Sequence, residues 1–371
     1  MKSEIDIVCY TGDSGLTDYS VSLARALAQR NSVNLVTSNR LEKQFQTMGF
    51  STVLIFKRAR HYVFGMAALV RRYRRRISQT ILFQSWFLFP LVDALIARLL
   101  SAYGHKVFVT VHDTLPHHPW PWSKVVLGFF YRSFHGLIAH SENSKTALRE
   151  MGVVCSILVV PHGIYDLFKT KDVSKDSARK ALAVPSTPQT VVLLFGHIDQ
   201  RKGCFEFLEV ARRCQDLKNV HFVIAGRNDL SSNDRRRLDA YRSLPNITVK
   251  DQRIEFHDVQ LFFFAADLVA LPYLEGTTSG VYKLALAFSV PVLASEVGDL
   301  AEIARRGAAI SIGSGSNLLG YFEAKIRILS KGPNSELLNV IQNIERETRI
   351  SKWDVIAHSY LKLMNMNVGR I

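Results

Sequence analysis

Residues 271–295 read LPYLEGTTSGVYKLALAFSVPVLAS and hold side chains suited to gripping a charged, hydroxyl-rich molecule. An apolar run ends at Pro272. A loop of small residues over 275–280 then opens a helix that ends by Ser289, and a second apolar run starts at Pro291. Gly, Thr and Ser at a helix start leave backbone N–H groups without helical partners. Together with the helix dipole they make an anion site. Glu275 stands at the lip of the loop, where a carboxylate accepts hydrogen bonds from hydroxyls. An anion site beside a hydroxyl acceptor suits a sugar phosphate. The same pattern also fits an ordinary strand–loop–helix crossover with no ligand.

Three other places carry chemistry-bearing residues. In LLFGHIDQRKGCFEFLEVA (193–211), Arg201 and Lys202 precede Gly203, where a helix begins. Two cations at a helix start are costly unless an anion sits there, and a diphosphate would supply one. They also fit a pair of solvated surface charges. VIAGRND (223–229) ends a strand with Gly226 and Arg227, and a glycine there lets a ligand approach the backbone. Asp18, in the first loop, and His112-Asp113, at a strand end, lie where an acceptor hydroxyl could meet a base; His117 and His118 follow. Asp18 equally fits a helix N-cap, and His112 a satisfied strand-end histidine. The sequence has no Asp-x-Asp, Walker loop, G-x-G-x-x-G or metal-ligand spacing. Kinase, NAD-dehydrogenase and metal-assisted readings therefore lack their motifs, and no cofactor or metal is expected.

The elements that position these residues alternate. Strands are expected at 5–10, 33–38, 51–56, 80–85, 106–113, 136–141 and 157–163. Residues 164–188 break the pattern with polar residues and VPSTP, which suggests an interdomain linker. The alternation restarts at 190–196, 220–226, 247–251, 267–273, 290–295 and 308–312. This is the signature of α/β architecture: two Rossmann-like domains facing across a cleft, with ligands at the carboxyl ends of the strands. The 371 residues suit two domains. The stretch 81–100 is the most apolar, but Gln84, Asp93 and Arg98 interrupt it, so a buried or membrane-surface helix is expected rather than a span.

The net charge of +15 calls for an anionic partner. Residues 57–76 hold eight basic side chains and no acidic one, with Tyr62, Met66, Leu69, Tyr73 and Ile77 at helical spacing. A basic amphipathic helix over 57–77 suits an anionic membrane surface; it equally suits a helix whose stripe packs on a sheet. Nucleic acid is not expected, because the aromatic-basic interleaving of such surfaces is missing. Cys9, Cys155, Cys204 and Cys214 are scattered and read as reduced thiols of a cytoplasmic protein. The start of the chain reads as a first strand rather than a signal peptide.

Over nearly its whole length the sequence resembles the GT-B glycosyltransferases, closest to glycosyltransferase family 4 and related bacterial exopolysaccharide mannosyltransferases. The resemblance rests on the Gly-Leu-Thr-Asp-Tyr loop from Gly15, the VHD strand end, AHSENSKTALREMG, PHGIYDLF, FGHIDQRKG, VIAG, AADLVALPYLEG, PVLASEVGDLAEI and SKWDVIAHSYLKLM. It implies an acceptor-binding domain over 1–165, with a terminal helix over 350–371 packing back on it. The donor-binding domain would cover 189–349. It implies a hexose moved from a nucleotide-diphosphate sugar (GDP-mannose or a UDP-sugar) to a lipid-linked saccharide or polysaccharide acceptor, at the inner face of a bacterial cytoplasmic membrane. Lys202 matches the family's phosphate-binding lysine, and His197 stands where the family has an arginine. With Arg201, Gly226, Arg227, Ser279, Gly280 and Lys283 they form the expected donor set. Gly15 and His112 would meet the acceptor, and Glu275, Asp113 and Asp18 would be catalytic. Glu275 matches the first glutamate of the family's E-x7-E motif. At the second, Lys283 or Leu284 stands instead. That departure motivates an alternative, a non-catalytic subunit that binds nucleotide sugar or membrane and supports a partner enzyme.

Overall fold

Apolar runs too continuous for a half-exposed sheet build two parallel sheets, each covered by helices on both faces. The computed structural model describes residues 4–57, 61–85, 88–116, 120–185, 190–276 and 279–366. His117 and His118 lie outside the described residues. The described chain divides into two compact units. One comprises 1–163 with 350–371, the other 164–349.

The first unit runs β1 (Glu4–Val8), α1 (Gly15–Ala28), β2 (Ser32–Ser38), β3 (Ser51–Phe56), α2 (Tyr62–Tyr73), β4 (Thr80–Gln84) and α3 (Pro90–Ala102). It continues with β5 (Lys106–Val111), α4 (Ser123–Tyr131), β6 (Gly136–Ala139), α5 (Glu142–Glu150) and β7 (Ser156–Val159). The strands pair in the order β3-β2-β1-β4-β5-β6-β7. Right-handed crossovers then place α2, α3, α4 and α5 on one face and α1 on the other.

The second unit runs α6 (Lys175–Leu182), β8 (Thr190–Phe195), α7 (Cys204–Arg213), β9 (Val220–Ala225), α8 (Ser232–Tyr241), β10 (Ile247–Lys250) and α9 (Val259–Ala265). Next come β11 (Leu268–Leu271), α10 (Gly280–Ala287), β12 (Val292–Ala294), α11 (Gly298–Arg305), β13 (Ile310–Ser311), α12 (Leu318–Leu329) and α13 (Ser335–Ile350). The strand order is β10-β9-β8-β11-β12-β13. The chain therefore reverses direction of growth between β8 and β11, the switch point at which such sheets open a crevice. The last helix, α14 (Trp353–Met364), belongs to the first unit.

Two segments differ from the sequence expectation. Residues 164–188 do not form a plain linker. Up to 185 they carry a 3-10 turn and α6, whose Arg179 is fully buried and donates to Asp267 Oδ2 at 2.5 Å and to the Ala265 carbonyl at 3.1 Å. The polar sequence misleads because Arg179 is consumed inside the unit while the other charges of α6 stay exposed. The stretch 81–100 is not one helix. Its first residues are the inner strand β4, and Pro90 starts α3 at a position where a missing N–H costs nothing. Among the described residues no helix is long and apolar enough to cross a membrane.

Helix α2 packs its stripe inward: Tyr62, Met66, Leu69 and Tyr73 are buried, and Ile77 lies beyond the helix end and is exposed. Tyr73 donates to buried Asp6 of β1, with Arg72 Nε 3.6 Å from the same carboxylate, and Arg76 pairs with Glu4 at 3.1 Å. Part of the basic cluster thus clips α2 to the sheet.

On the opposite face α14 closes the first unit. Tyr360 Oη lies 2.8 Å from Tyr19 Oη and 3.0 Å from Thr110 Oγ1, all three side chains buried. Trp353 fills the space beside Gly163, where a Cβ would come within 2.4 Å of its ring. Tyr360→Phe leaves the shape and removes the central hydroxyl of this network. It should lower stability by about 1–3 kcal/mol in urea unfolding, because Tyr19 and Thr110 lose a buried partner.

Candidate active site

The carboxyl ends of β8, β9 and β11 meet at one spot because glycines let backbones touch there. Gly196, after β8, has φ +104°, and Gly226, after β9, has φ +145°. A Cβ on Gly226 would sit 1.6 Å from the Gly196 carbonyl oxygen, so no other residue fits. Gly203, with φ +69°, makes the same kind of approach to the end of β11: its Cβ would lie 1.9 Å from the Pro272 oxygen. The Leu274 N–H also donates to the Arg201 carbonyl at 2.9 Å. The turn carrying Arg201 and Lys202 is thereby fastened to the loop carrying Glu275.

Lys202 sits in a 3-10 turn capped by Asp199, whose carboxylate accepts from the Lys202 N–H at 2.8 Å. Its ammonium reaches back over the strand end: a Cβ on Gly196 would lie 3.3 Å from Lys202 Nζ and 3.4 Å from Val281 Cγ2. The Lys202 ammonium also lies 5.8 Å from the Tyr273 ring centroid. Burial lowers its pKa, Asp199 and Asp229 oppose that, and Arg201 adds to it. Lys202 makes no ion pair with any described residue: Asp199 and Asp229 act on it from beyond ion-pair distance, so the half-buried cation is still able to take an anion. Arg201 beside it is exposed.

The loop after β11 is organised from below. Ser295 Oγ donates to the Tyr273 carbonyl at 2.7 Å, and Tyr273 Oη lies 3.0 Å from Ser279 Oγ. Ser279 caps α10 by accepting from the Tyr282 N–H, so it and Gly280 occupy the first-turn positions expected for an anion site. Glu275 is exposed at the lip. Residues 277 and 278 of the same loop lie outside the described residues.

His197 and Arg227 come together through a residue that the motifs did not single out. Asp229 takes a hydrogen bond from Arg227 Nε at 2.8 Å and contacts His197 Nδ1. The Arg227 hydrogen bond, then the His197 one, holds the Asp229 carboxyl down at about 2. Its local signal was the Arg227-Asn228-Asp229 sequence after a strand-end glycine. The partner His197 is 32 residues away and was not visible from that run.

Lys283 stands one turn into α10. It is half-buried, its carbonyl accepts from the Tyr165 N–H at 3.4 Å, and its ammonium lies 5.4 Å from the Tyr282 ring centroid. Burial pulls its pKa down to about 8, against the opposing pull of Glu347. Leu284 is buried in the core.

In the first unit, Ser14 caps α1, so Asp18 is not the N-cap but a half-buried residue of the first turn, and Gly15 is exposed at the helix start. His112 is packed edge-on against Tyr19 at 4.7 Å, with its Nε2 2.8 Å from Gln84 Oε1. Burial, helped by His140, holds its pKa well below the usual histidine value, so it is neutral near pH 7. Asp113 is half-buried, and its carbonyl accepts from Tyr131 Oη at 3.0 Å.

Residues 14–166 match the family described as Glycosyltransferase Family 4, and residues 189–331 match the family described as Glycosyl transferases group 1. A Bacillus subtilis protein that carries the name of a teichuronic acid biosynthesis glycosyltransferase is 30% identical over 147 residues, covering 39% of this chain and 34% of that protein. The processive diacylglycerol alpha-glucosyltransferase of Acholeplasma laidlawii is 26% identical over 183 residues, covering 47% of this chain and 54% of that protein. The matches thus span about a third and about half of these relatives. In three dimensions the chain is similar to Anabaena HepE, solved with UDP-glucose (TM-score 0.73, 16% identity, 98% of this chain and 100% of that one). It is also similar to the sucrose-phosphate synthase of Thermosynechococcus elongatus (TM-score 0.70, 18% identity, 98% of each chain). These likenesses establish the GT-B fold.

Lys283 gives a test that needs no substrate. Its folded pKa near 8 lies below the ordinary 10.5, so between those values the unfolded chain holds the proton more tightly and stability rises with pH. Lys283→Met should raise stability at neutral pH by an amount on the order of 1–3 kcal/mol and abolish that rise. Denaturant unfolding of both proteins at neutral and alkaline pH reads both effects.

Proposed function

Because this chain belongs to the group 1 and family 4 glycosyltransferases, we propose that it moves a hexose from a nucleotide-diphosphate sugar to a lipid-linked saccharide or polysaccharide in bacterial envelope biosynthesis. The donor is GDP-mannose or a UDP-sugar. The place of work is the inner face of the cytoplasmic membrane. The observation that carries this reading is the sheltered Lys202 ammonium over Gly196, in a turn fastened to the Glu275 loop. The names of the relatives agree with it: one is called a processive diacylglycerol alpha-glucosyltransferase, and a structural neighbour was solved with UDP-glucose.

The chemistry follows from where charge appears. As the bond between the anomeric carbon and the diphosphate oxygen breaks, negative charge grows on the leaving diphosphate. Lys202, Arg201 and the amides of Ser279 and Gly280 receive it, and fixed donors aimed at developing charge supply the largest catalytic effect. A metal is not required in this scheme, since these cations take its part. Glu275 orients the sugar through its hydroxyls. His197 and Arg227, steadied by Asp229, and Gly226 line the donor site, and Lys283 answers its remaining negative charge. His112 and Gly15 meet the acceptor. An inverting reaction takes its proton to Asp113 or Asp18. A retaining one gives it to the leaving phosphate.

A second reading is a subunit that binds nucleotide sugar or membrane without turnover. It is motivated by Lys283 and Leu284, where the family's second glutamate is expected. Purified protein with several acceptors separates the two: transfer or donor hydrolysis supports the enzyme, and nucleotide binding without either supports the subunit.

Thermal-shift measurements against UDP- and GDP-sugars should show stabilisation by one nucleotide class, since a ligand that binds only the folded state raises its stability. Lys202→Ala should lose that shift and lower transfer at least 100-fold, equivalent to about 3 kcal/mol of transition-state stabilisation. Unchanged turnover in Lys202→Ala would remove the diphosphate assignment.

A further inference from the structure

The outer face of one helical layer in the first unit is built unlike an ordinary solvated surface. Helices α2, α3 and α4 lie side by side on the same face of a parallel sheet, so their first turns are grouped at one end and their last turns at the other. At the first-turn end each helix exposes large apolar side chains. Phe64 is 75% exposed on α2, Leu91 and Leu95 are 49% and 61% exposed on α3, and Val125 is 73% exposed on α4. Trp120 and Trp122, 66% and 59% exposed, precede and cap α4 with their rings stacked at 5.5 Å.

The last-turn end is basic. Arg71, Arg74 and Arg75 on and after α2, Arg98 on α3 and Arg132 after α4 are all exposed. None of them forms an ion pair among the described residues. From residue 57 to 132 the sequence holds only two acids, Asp93 and Asp113. Asp93 is turned inward, where Tyr62 and Tyr10 donate to it and burial lifts its pKa to about 8. The three helices therefore present no carboxylate outward. The buried stripe of α2 described above is not involved; these residues lie on the helix's other side.

We infer that the outer face of α2, α3 and α4 docks on an anionic lipid bilayer, with the apolar first turns and the Trp120–Trp122 stack entering the headgroup region and the arginines held by lipid phosphates. The inference rests on the membrane-side reading of function but replaces the single helix over 57–77 with a three-helix face. Two separable forces hold it. Arginine attraction acts at a distance, requires anionic lipid and is screened by salt. Apolar insertion acts on contact and depends on lipid charge only through proximity, with tryptophan favoured at the water–hydrocarbon boundary.

The test is flotation of the full chain with vesicles of phosphatidylglycerol and phosphatidylcholine in equal parts, and with phosphatidylcholine alone. The expected result is binding to the mixed vesicles and at least tenfold weaker binding to the neutral ones. Replacing Arg71, Arg74 and Arg75 together by Gln should weaken binding to mixed vesicles roughly 100-fold. Phe64→Ser with Leu95→Ser and Trp120→Ser should weaken it at least tenfold at a salt concentration that leaves the wild type bound. All six side chains are exposed, so thermal unfolding should stay within about 2 °C of the wild type. A wild type that remains unbound, equal binding to neutral vesicles, or an apolar triple variant that binds like the wild type would each overturn the inference. The nucleotide thermal shift is read on the same proteins without lipid. Vesicle binding without any nucleotide shift would sink the donor reading alone, and a nucleotide shift without vesicle binding would sink the docking face alone.

Discussion

The contact between Gly203 and the Pro272 carbonyl decides how the second unit presents its chemistry. Two backbone segments far apart in sequence lie so close that a single methyl group would be 1.9 Å from the oxygen. The same holds for Gly226 over Gly196. Contacts made through long side chains leave slack, whereas contacts made backbone to backbone leave almost none. The Lys202 turn and the loop of Glu275 consequently share one rigid frame with the ends of β8, β9 and β11. A cation held in a fixed place before its counter-ion arrives needs no reorganisation when charge develops beside it. Asp199 and Ser295 satisfy backbone groups of this frame and Tyr273 holds the Ser279 hydroxyl, so the charged side chains are left to face outward.

The glycines and cations of this frame were legible in sequence because they are local features, whereas the backbone contacts that fasten them are not. A glycine after an apolar run, with cations just before a helix start, describes the Gly196–Gly203 segment without any knowledge of neighbours. The parallel α/β class was legible for the same reason, since strand and helix patterns alternate in plain view. What escaped depends on partners distant in the chain. Asp229 acts through His197 on the next strand end. The burial of Lys283, and the Glu347 charge that opposes its effect from 64 residues away, are reported by no spacing rule. The stretch 81–100 misled because apolar content alone does not separate an inner strand followed by a helix from one longer helix. Pro90 was the available clue.

Helix α2 shows the limit of periodicity most clearly. Its sequence has an apolar stripe and a basic cluster, and both were visible. Which apolar side chains face inward is decided by the neighbours of α2, through the hydrogen bonds of Tyr73 to Asp6 of β1 and of Tyr62 to Asp93 of α3. Once those are made, Phe64 is committed to the outside, and so is the end of the arginine cluster that has no acid to meet. An amphipathic pattern read from one strand of text thus becomes two surfaces with different roles.

Helix α14 has a consequence for how the chain is made. During synthesis the seven strands of the first sheet emerge long before residues 353–364, yet Tyr19 and Thr110 await a hydroxyl that only Tyr360 brings. Until then the face that α14 covers, including the ledge beside Gly163, stands open to water. The second unit has its own core and all of its strands between those two events. Vectorial folding on the ribosome should therefore complete the later-emerging unit first and seal the earlier one last. The period in between is when this protein has most to gain from a chaperone.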